Sequence, residues 1–182
     1  MTCDSPYSDA LLQRARNIRL VVFDVDGVLS DGRLYYDEQG REIKAFHARD
    51  GLGMNRLQHY GFELAVITGR DNPVVTHRMA SLGIAHVYQG RHDKRIALED
   101  LHHRLGLTME QTCFVGDDLL DLPLLQRVGL AVVVADAHPW VVDQAHFITR
   151  NRGGRGAARE VCDLLLEAHG HRQAEMDFWS GA

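Results

Sequence analysis

The sequence predicts an α/β fold in which a doubly wound parallel sheet is covered by helices on both faces. Three observations lead there. Short, nearly continuous apolar runs at residues 18–23, 62–67, 112–115 and 130–134 have the composition of strands buried on both sides. Amphipathic stretches of helical length separate these runs, and strand–helix alternation implies right-handed crossovers. The polar residues and glycines able to carry chemistry follow directly after the strands, which a Rossmann-like sheet gathers along one edge.

The elements follow in order. Residues 1–17 form a polar lead-in whose amphipathic piece around Leu11, Leu12 and Ala15 is either a packed helical turn or a frayed end. The first strand, 18–23, is followed by a β-hairpin insertion: runs 34–37 and 41–46 flank the turn Glu38-Gln39-Gly40. A helix spans 50–60, and strand 62–67 leads into Thr68-Gly69-Arg70. Asp71 or Asn72 caps the next helix, Pro73 suits its first turn, and Gly83 ends it. A short strand at 84–88 precedes a helix over 93–104 that stops at Gly106, and Thr108-Met-Glu-Gln111 has the form of a capping box. Strand 112–115 opens into Gly116-Asp117-Asp118 and a helix over 119–128; then come strand 130–134, a short helix near Pro139, strand 146–149 and a helix over 155–169. Residues 170–182 form a mobile tail.

Composition bounds the rest. At 182 residues the chain suits one domain, here 18–169, with little length for a second. Its 45% apolar and 25% charged residues are ordinary for a globular protein, and a net charge of −5 argues against nucleic acid or anionic membranes as partners. No apolar run is long enough to span a bilayer, and the first residues lack a charged region followed by an apolar one, so a cytoplasmic location is expected. Cys3, Cys113 and Cys162 form no CxxC pair and read as reduced thiols.

Chemistry concentrates at the strand ends. Side chains alternate along an extended chain, so Asp24 and Asp26 point the same way while Val25 enters the core. Two carboxylates in one small space imply a bound cation, divided acid and base roles, or both. Thr68, Lys94, Asp117, Asp118 and Asp121 join them along the same edge. Carboxylates without cysteine or paired histidine describe an oxygen-lined site for a hard cation, Mg²⁺, and His47, His92 and His138 are not expected to ligate it. A hydroxyl, the amide of Gly69 and Lys94 suit a phosphoryl group. In that arrangement Asp24 would attack phosphorus, and Asp26 would protonate the departing alkoxide and then deprotonate water.

The ordered set DVDGV, ITGR, a later lysine and VGDDLLD resembles the four motifs of the haloacid dehalogenase superfamily of phosphatases. DVDGVLSDGRLYY, FHARDGLGM, LGIAHVYQG, VGDDLLDLP and RGGRGAAREVCDLLL are similar, over nearly the whole chain, to the 3-deoxy-D-manno-octulosonate 8-phosphate phosphatases of lipopolysaccharide sugar synthesis in Gram-negative bacteria. The resemblance implies Asp24 as nucleophile and Mg²⁺ ligand, Asp26 as acid and base with its backbone carbonyl on the metal, and Asp117 as the second carboxylate ligand. Asp118 or Asp121 would act through bound water or by orienting neighbours. It further implies no cap domain, a homotetramer in which the hairpin helps close neighbouring sites, a tail that reaches an adjacent site, and a sugar acid phosphate bound by His47, Arg49, Asp50, Gly51, Arg70 and Arg78. Arg152 and Arg155 are further candidates for the sugar carboxylate. Asn55 departs from the pattern, standing where related sequences often carry an arginine. Two other functions fit some of these residues. One is a phosphatase for a nine-carbon sugar acid 9-phosphate; the other, a phosphoaspartate receiver, is opposed by motif order, because here the DxD pair comes first and GDDxxD late.

Overall fold

The structure is a computed structural model that describes residues 5–181. In chain order its elements are α1 (Asp9–Ala15), β1 (Leu20–Phe23), β2 (Tyr35–Tyr36), β3 (Glu42–Ile43), α2 (Ala48–His59), β4 (Glu63–Ile67), α3 (Pro73–Ser81), β5 (His86–Tyr88), α4 (Lys94–Leu105), β6 (Thr112–Gly116), α5 (Leu122–Leu125), β7 (Leu130–Val133), α6 (Pro139–Val142), β8 (Phe147–Ile148), α7 (Ala157–Ala168) and α8 (Arg172–Ser180). Six strands form one sheet in the order β5-β4-β1-β6-β7-β8, every neighbouring pair parallel. The chain winds outward from β1 to β5, then crosses back through α4 to build the other half from β6. That reversal makes the C-terminal end of β1 the switch point, where open α/β sheets have their crevice.

Period-two alternation explains the continuous apolar runs. Val21, Phe23, Val66, Val115 and Val132 face α2 and α7, meeting Leu57, Val161 and Leu165. Leu20, Val22, Ile67, Phe114 and Val133 face α4 and α5, meeting Leu98, Leu101 and Leu124. Phe23 lies beside Val66 on one side and Val115 on the other, so the residues that follow all three strands emerge side by side. Cys113 and Cys162 are buried free thiols whose pKa values burial pushes up, whereas Cys3 lies outside the described residues. Among the described residues no helix is long and apolar enough to cross a membrane.

Of the two readings of the lead-in the packed one holds: Ser8 caps α1 and Ala15 is fully buried in the core. Three expectations change. The hairpin pairs only two residues per strand, because it lies off the main sheet and a short ribbon without a covered face holds little pairing of its own. In place of a helix over 119–128 there is a 3₁₀ turn, Leu119–Asp121, running into the four-residue α5. There the carboxylates of Asp118 and Asp121 bind backbone amides at the turn, which tightens the chain locally. Residues 172–180, expected to be mobile, form α8. Glu175 anchors it by accepting from Arg56 Nε at 2.8 Å and Nη2 at 2.6 Å, with Trp179 Nε1 of the same helix donating to it at 3.2 Å, while His171 stacks on Tyr60. Such a long-range pair leaves no periodic trace in sequence.

Candidate active site

The site begins where β1 runs out. Asp24 N still donates to Val115 O at 3.0 Å, extending the ladder by one residue, and the chain then folds over on itself, with the amides of Leu29 and Ser30 both donating to Val25 O at 2.9 Å. This turn brings Gly27 against Asp117. With φ at +89° and a position where a Cβ would overlap Asp117 Oδ2, residue 27 has room only for glycine. A second close approach seals the turn from outside: a Cβ on Gly153 would overlap Gly27 O, and Gly154 N donates to Val28 O at 2.9 Å.

Lys94 opens α4, and Asp93 caps that helix by accepting from Arg95 N at 3.1 Å. The lysine side chain is 1% exposed and crosses the ring of Phe114 to stand 3.0 Å from Asp24 Oδ2 and 2.6 Å from Asp121 Oδ1. Asp121 is fully buried, and its Oδ2 accepts from the amides of Asp117 at 2.8 Å and Asp118 at 3.2 Å. Asp121 therefore ties α4 to the loop after β6. Asp118 turns the other way and accepts from Leu119 N. Thr68 is buried at the end of β4, its N–H donating to Tyr88 O and its carbonyl accepting from Arg91 N, both at 2.9 Å. Gly69 beside it leaves open space, with the nearest side chains at ordinary contact distance.

Asp24, Asp117 and Asp121 offer oxygens that all lie within 4.8 Å of one another. Burial pushes the Asp24 carboxyl up to about 6, Lys94 pulls it down and Asp121 adds to the rise. Asp117 is pushed up to about 8 by burial and then by Asp121, Asp24 and Asp118. Burial opposes the charge of Lys94, but Asp24 and Asp121 hold its pKa above the ordinary lysine range. With all three carboxylates ionised their charge exceeds that of the one ammonium by two, which a divalent cation with oxygen preference would offset.

That excess has a measurable sign. A carboxyl whose folded pKa is raised stabilises the fold below its unfolded value, here 3.8, and loses that contribution as pH rises through the folded value. Without divalent cation, the Tm should fall as pH rises from about 4 to about 8, more steeply than in Asp117→Asn. Saturating Mg²⁺ at a hundredfold excess over its Kd should restore about 2.7 kcal/mol. Parallel melting curves for wild type and variant would show that the Asp117 carboxyl is not raised, and no Mg²⁺ response would show that the cluster does not hold a cation.

Asp26 stands apart from this cluster. Its Oδ1 meets Lys44 Nζ and lies 3.4 Å from Ser30 Oγ, while its Oδ2 is 3.9 Å from Arg70 Nε. Glu42 completes the group, with Oε1 2.6 Å from Lys44 Nζ and Oε2 accepting from Arg70 Nη2 at 2.7 Å. Burial opposes the Lys44 charge, yet Asp26 and Glu42 keep its pKa raised. The sequence reading missed Lys44 and Glu42. They stood there only as part of the hairpin run 41–46; the one available signal was that they share a side of the strand two residues apart.

The other expected residues divide between two places. His47, Asp50, Gly51 and Arg78 line a narrow cleft with Phe46 and Met54. There His47 Nδ1 and Asp50 Oδ2 are buried without partners, Asp50 Oδ1 accepts from Arg159 N at 2.8 Å, and the Arg78 guanidinium lies 5.8 Å from the Phe46 ring centre. Arg49 lines a separate groove of about 460 Å³ with Tyr7, Arg150 and Arg155. Of the sugar-binding candidates, Arg70 is the one brought to Asp26.

The chain is similar to known proteins over most of its length. Residues 77–161 match the haloacid dehalogenase-like hydrolase family. The chain is 51% identical over 169 residues, 93% of its length and 90% of the relative's, to the 3-deoxy-D-manno-octulosonate 8-phosphate phosphatase KdsC of Escherichia coli K12. The crystal structure of the Yersinia pestis phosphatase of that name superposes with a TM-score of 0.91 at 49% identity, covering 94% of this chain and 93% of that one. The Moraxella catarrhalis phosphatase of the same name, solved in complex with magnesium, phosphate and a 3-deoxy-D-manno-octulosonate molecule, gives 0.92 at 39% identity, covering 95% and 99%. A DxD loop at the switch point, a lysine bridging to the GDDxxD loop and identity of this extent over almost the full length have one common explanation: the chain belongs to the 3-deoxy-D-manno-octulosonate 8-phosphate phosphatases of the haloacid dehalogenase-like hydrolases.

Proposed function

We propose that the chain hydrolyses 3-deoxy-D-manno-octulosonate 8-phosphate to the free sugar acid and phosphate, with Asp24 as nucleophile and Asp26 as acid and base. The observation that carries this reading is the split between two carboxylates two residues apart. Asp24 lies in the carboxylate cluster against Lys94, and the Asp26 side chain is turned out of it toward Lys44 and Arg70. Asp24 and Asp117, with the backbone carbonyl of Asp26, would hold Mg²⁺, which when bound offsets the repulsion between an anionic nucleophile and a phosphate ester.

An Asp24 carboxylate oxygen forms a bond to phosphorus as the ester P–O bond breaks. The ester oxygen leaves with the electron pair and takes a proton from Asp26. Asp26, now a carboxylate, removes a proton from water, whose oxygen attacks phosphorus and releases phosphate and the Asp24 carboxylate. Thr68, the amide of Gly69 and Lys94 hold the phosphoryl oxygens, Asp118 supports the loop, and Asp121 fixes the ammonium of Lys94 at the correct depth. Arg70, Arg78, Arg49, His47, Asp50 and Gly51 are assigned to the sugar acid, with Arg70 nearest the departing oxygen by its contact with Asp26.

The active form is proposed to be a cytoplasmic homotetramer. Leu34, Tyr35, Tyr36 and Ile43 on the hairpin are 42–57% exposed, an apolar surface suited to another subunit that would exclude water from an otherwise open site. Phosphate release from the eight-carbon and nine-carbon sugar acid phosphates, each with and without Mg²⁺, tests the assignment. A kcat/KM favouring the eight-carbon substrate, dependent on Mg²⁺, is expected. Preference for the nine-carbon ester would change the substrate, and a stable phosphoaspartate without turnover would make the chain a receiver.

A further inference from the structure

Lys44 is the one lysine other than Lys94 whose ammonium is buried among carboxylates in the described chain, and none of the chemistry above uses it. Its side chain is 1% exposed, and the carboxylates of Asp26 and Glu42 on either side are 21% and 10% exposed. Removing an ammonium from water is costly, and such a pair contributes little net stability compared with an apolar filling of the same shape. Its geometry is more specific than stability requires. Lys44 and Ser30 both engage Asp26 Oδ1, so Oδ2 is the oxygen left toward Arg70, 3.9 Å away. Glu42 holds Lys44 with one oxygen and Arg70 with the other, so a single residue of the hairpin fixes both cations that address Asp26.

Building on the acid and base role assigned to Asp26, we propose that Lys44 is a positioning residue for leaving-group protonation. By holding Oδ1 it sets the rotation of the Asp26 carboxyl and presents Oδ2 to the ester oxygen. Glu42 carries the counter-charge that keeps Lys44 in place, and without Lys44 the two carboxylates would face each other unshielded and turn apart.

The proposal separates two classes of ester. An alkyl phosphate expels a strongly basic oxygen that needs the proton as the P–O bond breaks, whereas p-nitrophenyl phosphate expels a stable phenolate that does not. Because kcat/KM reports steps only through the first irreversible one, transfer to Asp24, it isolates departure of the leaving group from later hydrolysis. Lys44→Met removes the charge and keeps the volume. It should lower kcat/KM for the sugar acid phosphate, or for another unactivated alkyl phosphate, by roughly 10²-fold, the scale of a misplaced catalytic group. The loss for p-nitrophenyl phosphate should stay within about threefold, and Lys44→Arg should recover part of the alkyl rate. Asp26→Asn is run beside it and should show the same split, more strongly. Equal losses on both esters would mean that Lys44 serves the fold alone, and an unchanged alkyl rate would remove it from the reaction; either result overturns the proposal. Absence of the split in Asp26→Asn would instead overturn the acid role on which the proposal rests. If Lys44→Met does not fold, Glu42→Gln, which loosens Lys44 without removing it, must show the split in weaker form for the proposal to stand.

Discussion

Asp24→Asn should reduce phosphate release by on the order of 10⁴- to 10⁶-fold with both sugar and aryl phosphates, since no later step can replace a missing covalent intermediate. The substitution keeps the side chain's shape, and Asn Oδ1 can still accept from Val25 N, a contact of 2.7 Å in the native site. It also removes one of three crowded carboxylates, so the cation-free protein should melt no lower than wild type despite the mismatch of an amide N–H₂ with the Lys94 ammonium. Steady-state phosphate release together with circular dichroism checks both statements. A well-folded variant with near-normal turnover would place the nucleophile elsewhere.

Lys94→Met should combine the largest loss of stability with a large loss of activity. The ammonium lies between Asp24 and Asp121, and taking away one partner of a buried ionic group typically costs 3–5 kcal/mol, because the remaining charges stay buried and uncompensated. For a domain of this size that is a fall in Tm of roughly 10 °C. The double variant Lys94→Met/Asp121→Asn should recover part of that stability without recovering turnover. Asp121 has lost its charge there, but the phosphoryl oxygens still lack their cation. Thermal melts of the four members of this cycle give the coupling directly. Additive losses would show that Lys94 and Asp121 act independently, contrary to their 2.6 Å contact.

Much of this was legible in the chain because the decisive signals are local. The runs 18–23, 112–115 and 130–134 are apolar on both faces, and the structure buries both faces of them. Asn72 caps α3 by accepting from Val74 N, and the turn at Thr108–Gln111 forms its capping box. Asp24, Lys94 and Asp117 converge because each stands next to the end of an element whose boundary could be read. What escaped was set by partners distant in sequence. Asp121 was expected at this edge, but its bonds to two amides and to a lysine 27 residues away were not, and they contract the expected helix to a 3₁₀ turn. Lys44 is buried only because Asp26 and Glu42 surround it. The tail becomes α8 through one arginine 119 residues earlier. Periodicity records which side of an element is apolar, and it carries no mark for a charge that finds its counter-charge across the fold.

The contact of Gly153 and Gly154 with the turn after β1 has a consequence for the protein's making. Asp24, the proposed nucleophile, is made before these glycines, but the loop that carries it is braced by Val28 O accepting from Gly154 N and by Gly27 O packed on Gly153. Asp117, which Gly27 must clear, is also made late. A nascent chain that has reached only β5 thus owns Asp24 and Asp26 yet lacks the brace and Asp117, the proposed partner in cation binding. The turn is completed only once Asp117 and then Gly153 and Gly154 have been made and fold back onto it.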